Sequence, residues 1–194
     1  KILKELNVKQ VYALLIHNTD KLKGKFGKSL FEILLKIKKK NKIKKLGVSV
    51  YHKNELNFII KNYNIDIVSL PVSIANQQFI TDNYLSKINK RNIEIHARSI
   101  FLQGLLVSNF NDLPKKFKNN KFFLEWFSWL KKNNYDPLEA SIAFIKRIKY
   151  LDKIVIGVDS LDQLKMIVKI YKKNMKIKFI KFYQSKILSN PSKW

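Results

Sequence analysis

Apolar and polar positions along the chain follow two alternating spacings. Val11–Ile16 (VYALLI) is a continuous apolar run and predicts a strand buried on both faces. In 27–40, Leu30, Ile33, Leu34 and Ile37 recur at the spacing of one helix face. Residues 46–51 (LGVSVY) predict a second strand, and Leu56, Ile59, Ile60 and Tyr63 a second helix face. Residues 66–71 (DIVSLP) predict a third strand. A helix from about Thr81 follows, with Tyr84, Leu85 and Ile88 inward, and 93–97 (IEIHA) predict a fourth strand. The long segment 98–135 holds a helix whose Phe122, Phe123, Trp126, Phe127 and Leu130 read as core rather than as a platform for bases. Asp136-Pro137-Leu138-Glu139 reads as a helix start, with an N-cap, a proline at the first helical position and an acid closing a capping box. Residues 153–158 (KIVIGV) predict a fifth strand. The helix of 160–173 follows with Leu164, Ile167, Val168 and Tyr171 inward, and the tail ends in Asn190-Pro191-Ser192-Lys193-Trp194.

Strands alternating with helices, without hairpin signals, predict parallel strands joined by helical crossovers. An open doubly wound sheet and a (β/α)8 barrel both accommodate that order. No Gly-x-Gly-x-x-Gly turn follows a strand, and no Gly-rich loop ends in Lys-Ser or Lys-Thr, which speaks against a dinucleotide-binding open sheet and a P-loop.

Composition narrows the class. The chain of 194 residues has no Cys, so it has neither a disulfide framework nor a thiolate metal cluster. The longest apolar run falls far short of the ~20 residues that cross a bilayer, and no signal pattern opens the sequence. The expectation is a cytoplasmic protein without membrane association. The formal net charge of +25 invites a nucleic-acid reading. Arg occupies only positions 91, 98 and 147, however, and the other basic residues are Lys. Base and phosphate readers lean on the bidentate guanidinium. Abundant Lys, Asn, Ile, Phe and Tyr fit a compositional bias, and the dense run 36–45 fits a solvated turn.

Polar residues gather where predicted strands end, the face that carries chemistry in a parallel barrel. His17 and Asn18 close the first strand, Ser49 lies near the end of the second and Ser69 in the third. Arg98 and Ser99 close the fourth, and Gly157, Asp159 and Ser160 the fifth. A His at such an end can serve as a proton donor or be structural. Gln103-Gly104 can bring backbone N–H groups to an anion.

Five segments together resemble the C-terminal part of an aldo-keto reductase: VYALLIHN (11–18), KKLGVSVY (44–51), IDIVSLPVSIANQQ (65–78), IEIHARSIFLQGLLV (93–107) and IVIGVDSLDQL (154–164). The resemblance implies a (β/α)8 barrel, here about five parallel strand–helix units spanning 1–194 without an internal domain boundary. It implies hydride transfer from NADP(H), or NAD(H), to the carbonyl carbon of a small aldehyde or ketone. His17 matches the His that orients the carbonyl, and Ser49 the Ser of a Ser-Asn pair that holds the nicotinamide amide. Arg98 stands where an aromatic ring usually stacks on nicotinamide, a place a guanidinium plane can fill. Ser99, Gln103 and Gly104 match the diphosphate loop, and Ser160 and Gln163 the adenosine end, although Ser-x-x-Gln is also a helix cap. Val50 replaces the usual Asn, Ser69 stands where a nicotinamide-binding Gln is usual, and no basic residue that would read a 2′-phosphate lies at Ser160, Lys165 being the nearest candidate. The family's Tyr, Lys and Asp belong to three earlier strand–helix units. The expectation is therefore an N-terminally truncated reductase, inactive alone. A non-catalytic cofactor-binding or interaction protein and a basic nucleic-acid module are the alternatives.

Overall fold

The computed structural model describes residues 2–190 and 194; of the tail, 191–193 lie outside the described residues. The order of elements is α1 (Ile2–Glu5), β1 (Val11–Ile16), α2 (Asp20–Lys23), α3 (Gly27–Lys39), β2 (Ile43–Ser49), α4 (Lys53–Asn62), β3 (Ile67–Pro71), α5 (Tyr84–Asn89) and β4 (Glu94–Arg98). Then come a 3-10 turn (Phe110–Asp112), α6 (Lys115–Lys118), α7 (Lys121–Asn133), α8 (Pro137–Lys146), β5 (Lys153–Ile154), α9 (Leu161–Lys172) and a second 3-10 turn (Lys186–Ser189). The five strands form one parallel sheet in the order β1-β2-β3-β4-β5. Sequential order in a parallel sheet is what repeated helical crossovers produce.

Contacts divide the chain into two compact units. The first comprises residues 1–70, 84–96 and 150–153. Its core includes Leu46 and Val48 of β2, Val68 and Leu70 of β3, and Leu56 and Ile59 of α4, all inaccessible to solvent. Gly47 is in register with Ile67, and a Cβ at Gly47 would lie 1.8 Å from the Ile67 carbonyl oxygen, so only glycine permits this approach. Asp66, just before β3, accepts the Leu46 N–H at 2.8 Å and pairs with Lys38 of α3 at 2.6 Å, tying helix, β2 and β3 together. Asp152, just before β5, repeats the device by accepting the Ile95 N–H at 2.7 Å.

The second unit comprises residues 71–83, 97–149 and 154–194. Its core is aromatic: of the α7 residues predicted as core, Phe122, Phe123, Trp126 and Leu130 are buried and Phe127 is half-buried, while Trp129, outside the prediction, is buried as well. Phe182 stands edge-on to Trp126 and Trp129 with centroids 5.6 and 5.3 Å away. The Trp126 indole N–H is satisfied by the Leu106 carbonyl at 3.1 Å. Asp136 caps α8 as expected, its carboxylate accepting the Glu139 N–H at 2.8 Å with Pro137 at the first turn. The Glu139 carboxylate turns instead to Lys173, at 2.5 Å.

Four expectations are corrected. β1 has no buried residue, because β2 is its single neighbour in the sheet. The buried residue of α3 among those facing inward is Phe31, against Tyr63 with centroids 4.9 Å apart, whereas Ile33 and Ile37 are exposed. The fifth strand stops at Ile154; the ladder ends with the Val155 N–H on the Ala97 carbonyl, and Val155 and Val158 are exposed. In α9, which packs on α8, Ile170 is buried while Leu164, Val168 and Tyr171 are exposed. Amphipathic spacing marks an apolar face correctly but says nothing of whether another element covers it.

Candidate cofactor site

Parallel register brings one row of polar side chains to the C-terminal ends of the first unit's strands. Ser49 pairs with Ser69 across β2 and β3, and Ile16 pairs with Val48, so His17 follows β1 at the level of Ser49. Both serines are buried, at 7% and 6% exposure, while His17 is exposed. A buried hydroxyl pair beside an accessible imidazole offers donors and acceptors that can orient an amide and a carbonyl. Val50, beyond Ser49, is fully buried and contributes no polar group.

In the second unit, β4 ends at Arg98, and the Arg98 Nη1 donates to the Ser99 hydroxyl at 3.3 Å. The chain then makes a turn in which Ser99, Leu102 and Gln103 take φ of +58°, +51° and +57°, and Gly104 takes +85°. Left-handed backbone costs a non-glycine residue roughly 1–2 kcal/mol, and such outliers concentrate where a ligand is held. The turn walls a cavity of about 590 Å³, to which Ser99, Gln103 and Gly104 contribute. A Cβ at Gly104 would meet nothing within 4 Å, so the glycine serves its positive φ and leaves the backbone open to the cavity.

The opposite wall comes from two helix starts. Asp136, Pro137 and Leu138 enter from α8, and Asp159, Gln163 and Met166 from α9. Ser160 is the N-cap of α9, its hydroxyl accepting the Gln163 N–H at 3.2 Å. The Gln163 side chain reaches back to accept the Asp159 N–H at 2.9 Å. Ser160 thus stands beside the cavity rather than in its wall, and the capping function expected of Ser-x-x-Gln is present. The α8 contribution escapes sequence reading, since Asp-Pro registers there only as a helix start. Lys165 lies on the far side of the same helix turn, 3.9 Å from Asp162, with side chains 68% and 92% exposed.

A second polar cluster lies at the beginnings of the first unit's strands. Glu94 accepts from the Tyr12 hydroxyl at 2.6 Å, from Lys45, and meets His96 Nε2 at 2.5 Å. Burial pushes the Glu94 carboxyl up, but the hydrogen bonds from Lys45, Tyr12 and His96 outweigh it and hold it down at about 2. The hydrogen bond to Glu94 correspondingly raises Lys45. Among the described residues no group of three His, Cys, Asp or Glu is arranged to hold a metal ion.

The model of the aldo/keto reductase family matches residues 1–187. The chain belongs to that family. No curated protein matches it. Among solved structures, the holo form of an aldo-keto reductase from Bacillus halodurans superposes with a TM-score of 0.72 at 18% identity, over 90% of this chain and 60% of that one. The glycerol dehydrogenase of Gluconobacter oxydans gives 0.57 at 19% identity, over 92% of this chain and 64% of that one. At these identities the likeness concerns the fold. This aldo/keto reductase chain spans about 60% of the length of the Bacillus halodurans enzyme. No helix among its described residues is long and apolar enough to cross a membrane.

Proposed function

We propose that this chain forms the cofactor-binding part of an NAD(P)H-dependent aldo-keto reductase acting on a small aldehyde or ketone. The observation that carries the reading is the cavity shared by the left-handed Ser99–Gly104 turn and the start of α9. Its volume lies within the range of small-molecule sites, and its chemistry suits a dinucleotide. Open backbone at Gly104 and the N-terminal end of a helix both favour a diphosphate.

When bound, a reduced nicotinamide supplies hydride to the carbonyl carbon. The chain's own residues then have separate tasks. Ser99 and the Gln103-Gly104 backbone hold the diphosphate. Gln163, steadied by the Ser160 cap, borders the adenosine end. Ser49 and Ser69 would hold the carboxamide, and the resemblance gives the Arg98 guanidinium the place of the aromatic side chain that stacks on the ring. His17 would donate a hydrogen bond to the carbonyl oxygen, where negative charge would develop on hydride transfer. The resemblance assigns the proton-donating Tyr, with its Lys and Asp, to strand–helix units earlier than Val11. On this reading the 194 residues bind cofactor, and the protein works in the cytoplasm.

The test is quenching of the fluorescence of NADH or NADPH on titration with the chain at 0.15 M salt (roughly physiological), with inorganic tripolyphosphate as competitor. Saturable quenching that excess tripolyphosphate leaves largely intact is expected. Signal abolished by tripolyphosphate would reveal non-specific attraction of polyanions to a chain of net charge +25, and the reading would fall. An oligonucleotide binding with a steep salt dependence would favour the basic nucleic-acid alternative instead.

A further inference from the structure

The charges of the cavity run against those of the molecule. The chain has 39 basic and 14 acidic residues, yet none of the described residues lining the cavity is Lys, Arg or His, and two are carboxylates, Asp136 and Asp159. Their situations differ. The Asp136 carboxylate is engaged in capping α8. Asp159 stands immediately before the α9 cap; its N–H is held by Gln163, and its exposed carboxylate has no hydrogen-bond or ion-pair partner among the described residues. Lys165, a cation on the same helix, lies 3.9 Å from Asp162 on the solvent side and does not line the cavity.

We propose that Asp159 makes this site selective for NAD(H) over NADP(H), the reverse of what the family resemblance implies. The inference rests on the cavity being the cofactor site. A carboxylate accepts hydrogen bonds from a ribose 2′-hydroxyl and repels a 2′-phosphate dianion. Discrimination by an acid next to the adenosine ribose needs no other contact. Nothing in the cavity wall offers the phosphate a compensating cation. The overall positive charge of the chain pulls the other way, favouring the more highly charged NADP(H), so a preference for NAD(H) has to originate locally.

Isothermal titration of the chain with NADH and NADPH at 0.15 M salt (roughly physiological) reads this directly, without turnover. NADH binds roughly tenfold more tightly than NADPH. Asp159→Ser brings the two affinities within about threefold, and Asp159→Arg inverts the order. Both variants keep the Ser160 cap and the backbone bond to Gln163, so thermal melts stay near that of the parent. Lys165→Ala leaves both affinities unchanged. Equal or tighter binding of NADPH by the parent, an unaltered ratio in Asp159→Ser, or selective loss of NADPH in Lys165→Ala overturns the proposal while the cofactor site stands. Absence of binding by either cofactor overturns the cofactor site, and the proposal with it.

Discussion

Glu94 holds three partners on two oxygens, and its acidity follows from that. Its carboxyl sits at about 2 in the folded chain against an ordinary value of 4.5. A group depressed in this way stabilises the fold fully above its unfolded value and loses that contribution as pH falls through the folded one. Chemical denaturation between pH 5 and pH 2 therefore shows the parent losing stability across the interval from 4.5 to about 2, and Glu94→Gln losing less over the same range. Equal pH slopes for the two would mean that the Tyr12, Lys45 and His96 contacts do not form. None of this cluster was legible in sequence: Tyr12, Lys45, Glu94 and His96 sit on β1, β2 and β4, and only sheet register joins them. The strand-end polar residues were legible because the position after an apolar run is visible in one dimension. Asp159 was visible as well, but its meaning required seeing which charges share its cavity.

At the scale of elements, β2 and β3 depend on a missing side chain. Gly47→Ala puts a methyl group against the Ile67 carbonyl, and the strands must part. Overpacking of this kind costs typically 1–3 kcal/mol, so a shift of the urea midpoint by about that energy is expected. Ser49 and Ser69 follow Gly47 and Ile67 by two residues each, so the same change also loosens the row that includes His17. A midpoint equal to that of the parent would contradict the close strand approach. The strands and helices themselves were largely readable. β1 begins and ends at the predicted residues, and Asp136 caps α8 where predicted. The errors share one cause. β1, α3, β5 and α9 have apolar positions whose covering depends on neighbours, and periodicity carries no information about neighbours.

For the whole molecule, two tendencies oppose each other. Exposed Ile33, Ile37 and Tyr12 in the first unit, and Leu161, Met166 and Val168 in the second, give apolar surface that favours association. β1 and β5 end the strand order, and each has one strand neighbour. The net charge of +25 resists association through repulsion. Salt screens the repulsion, with a Debye length falling from roughly 10 Å at 0.1 M to about 3 Å at 1 M, and leaves apolar attraction intact. Sedimentation velocity of the isolated chain is expected to show small species at low salt and larger ones as salt rises. A single 23.0 kDa species throughout would show that those surfaces do not associate.

The bend after β4 carries one more implication. Three residues with side chains are held there in a conformation that L-amino acids resist, and the folded chain has met that expense before any nucleotide arrives. On the proposed reading, a diphosphate would find amides already aimed, with little ordering entropy left to lose on docking. Of the three residues, only Leu102 could be exchanged for glycine, relaxing the bend, without removing a polar side chain; Ser99→Gly and Gln103→Gly would each remove one.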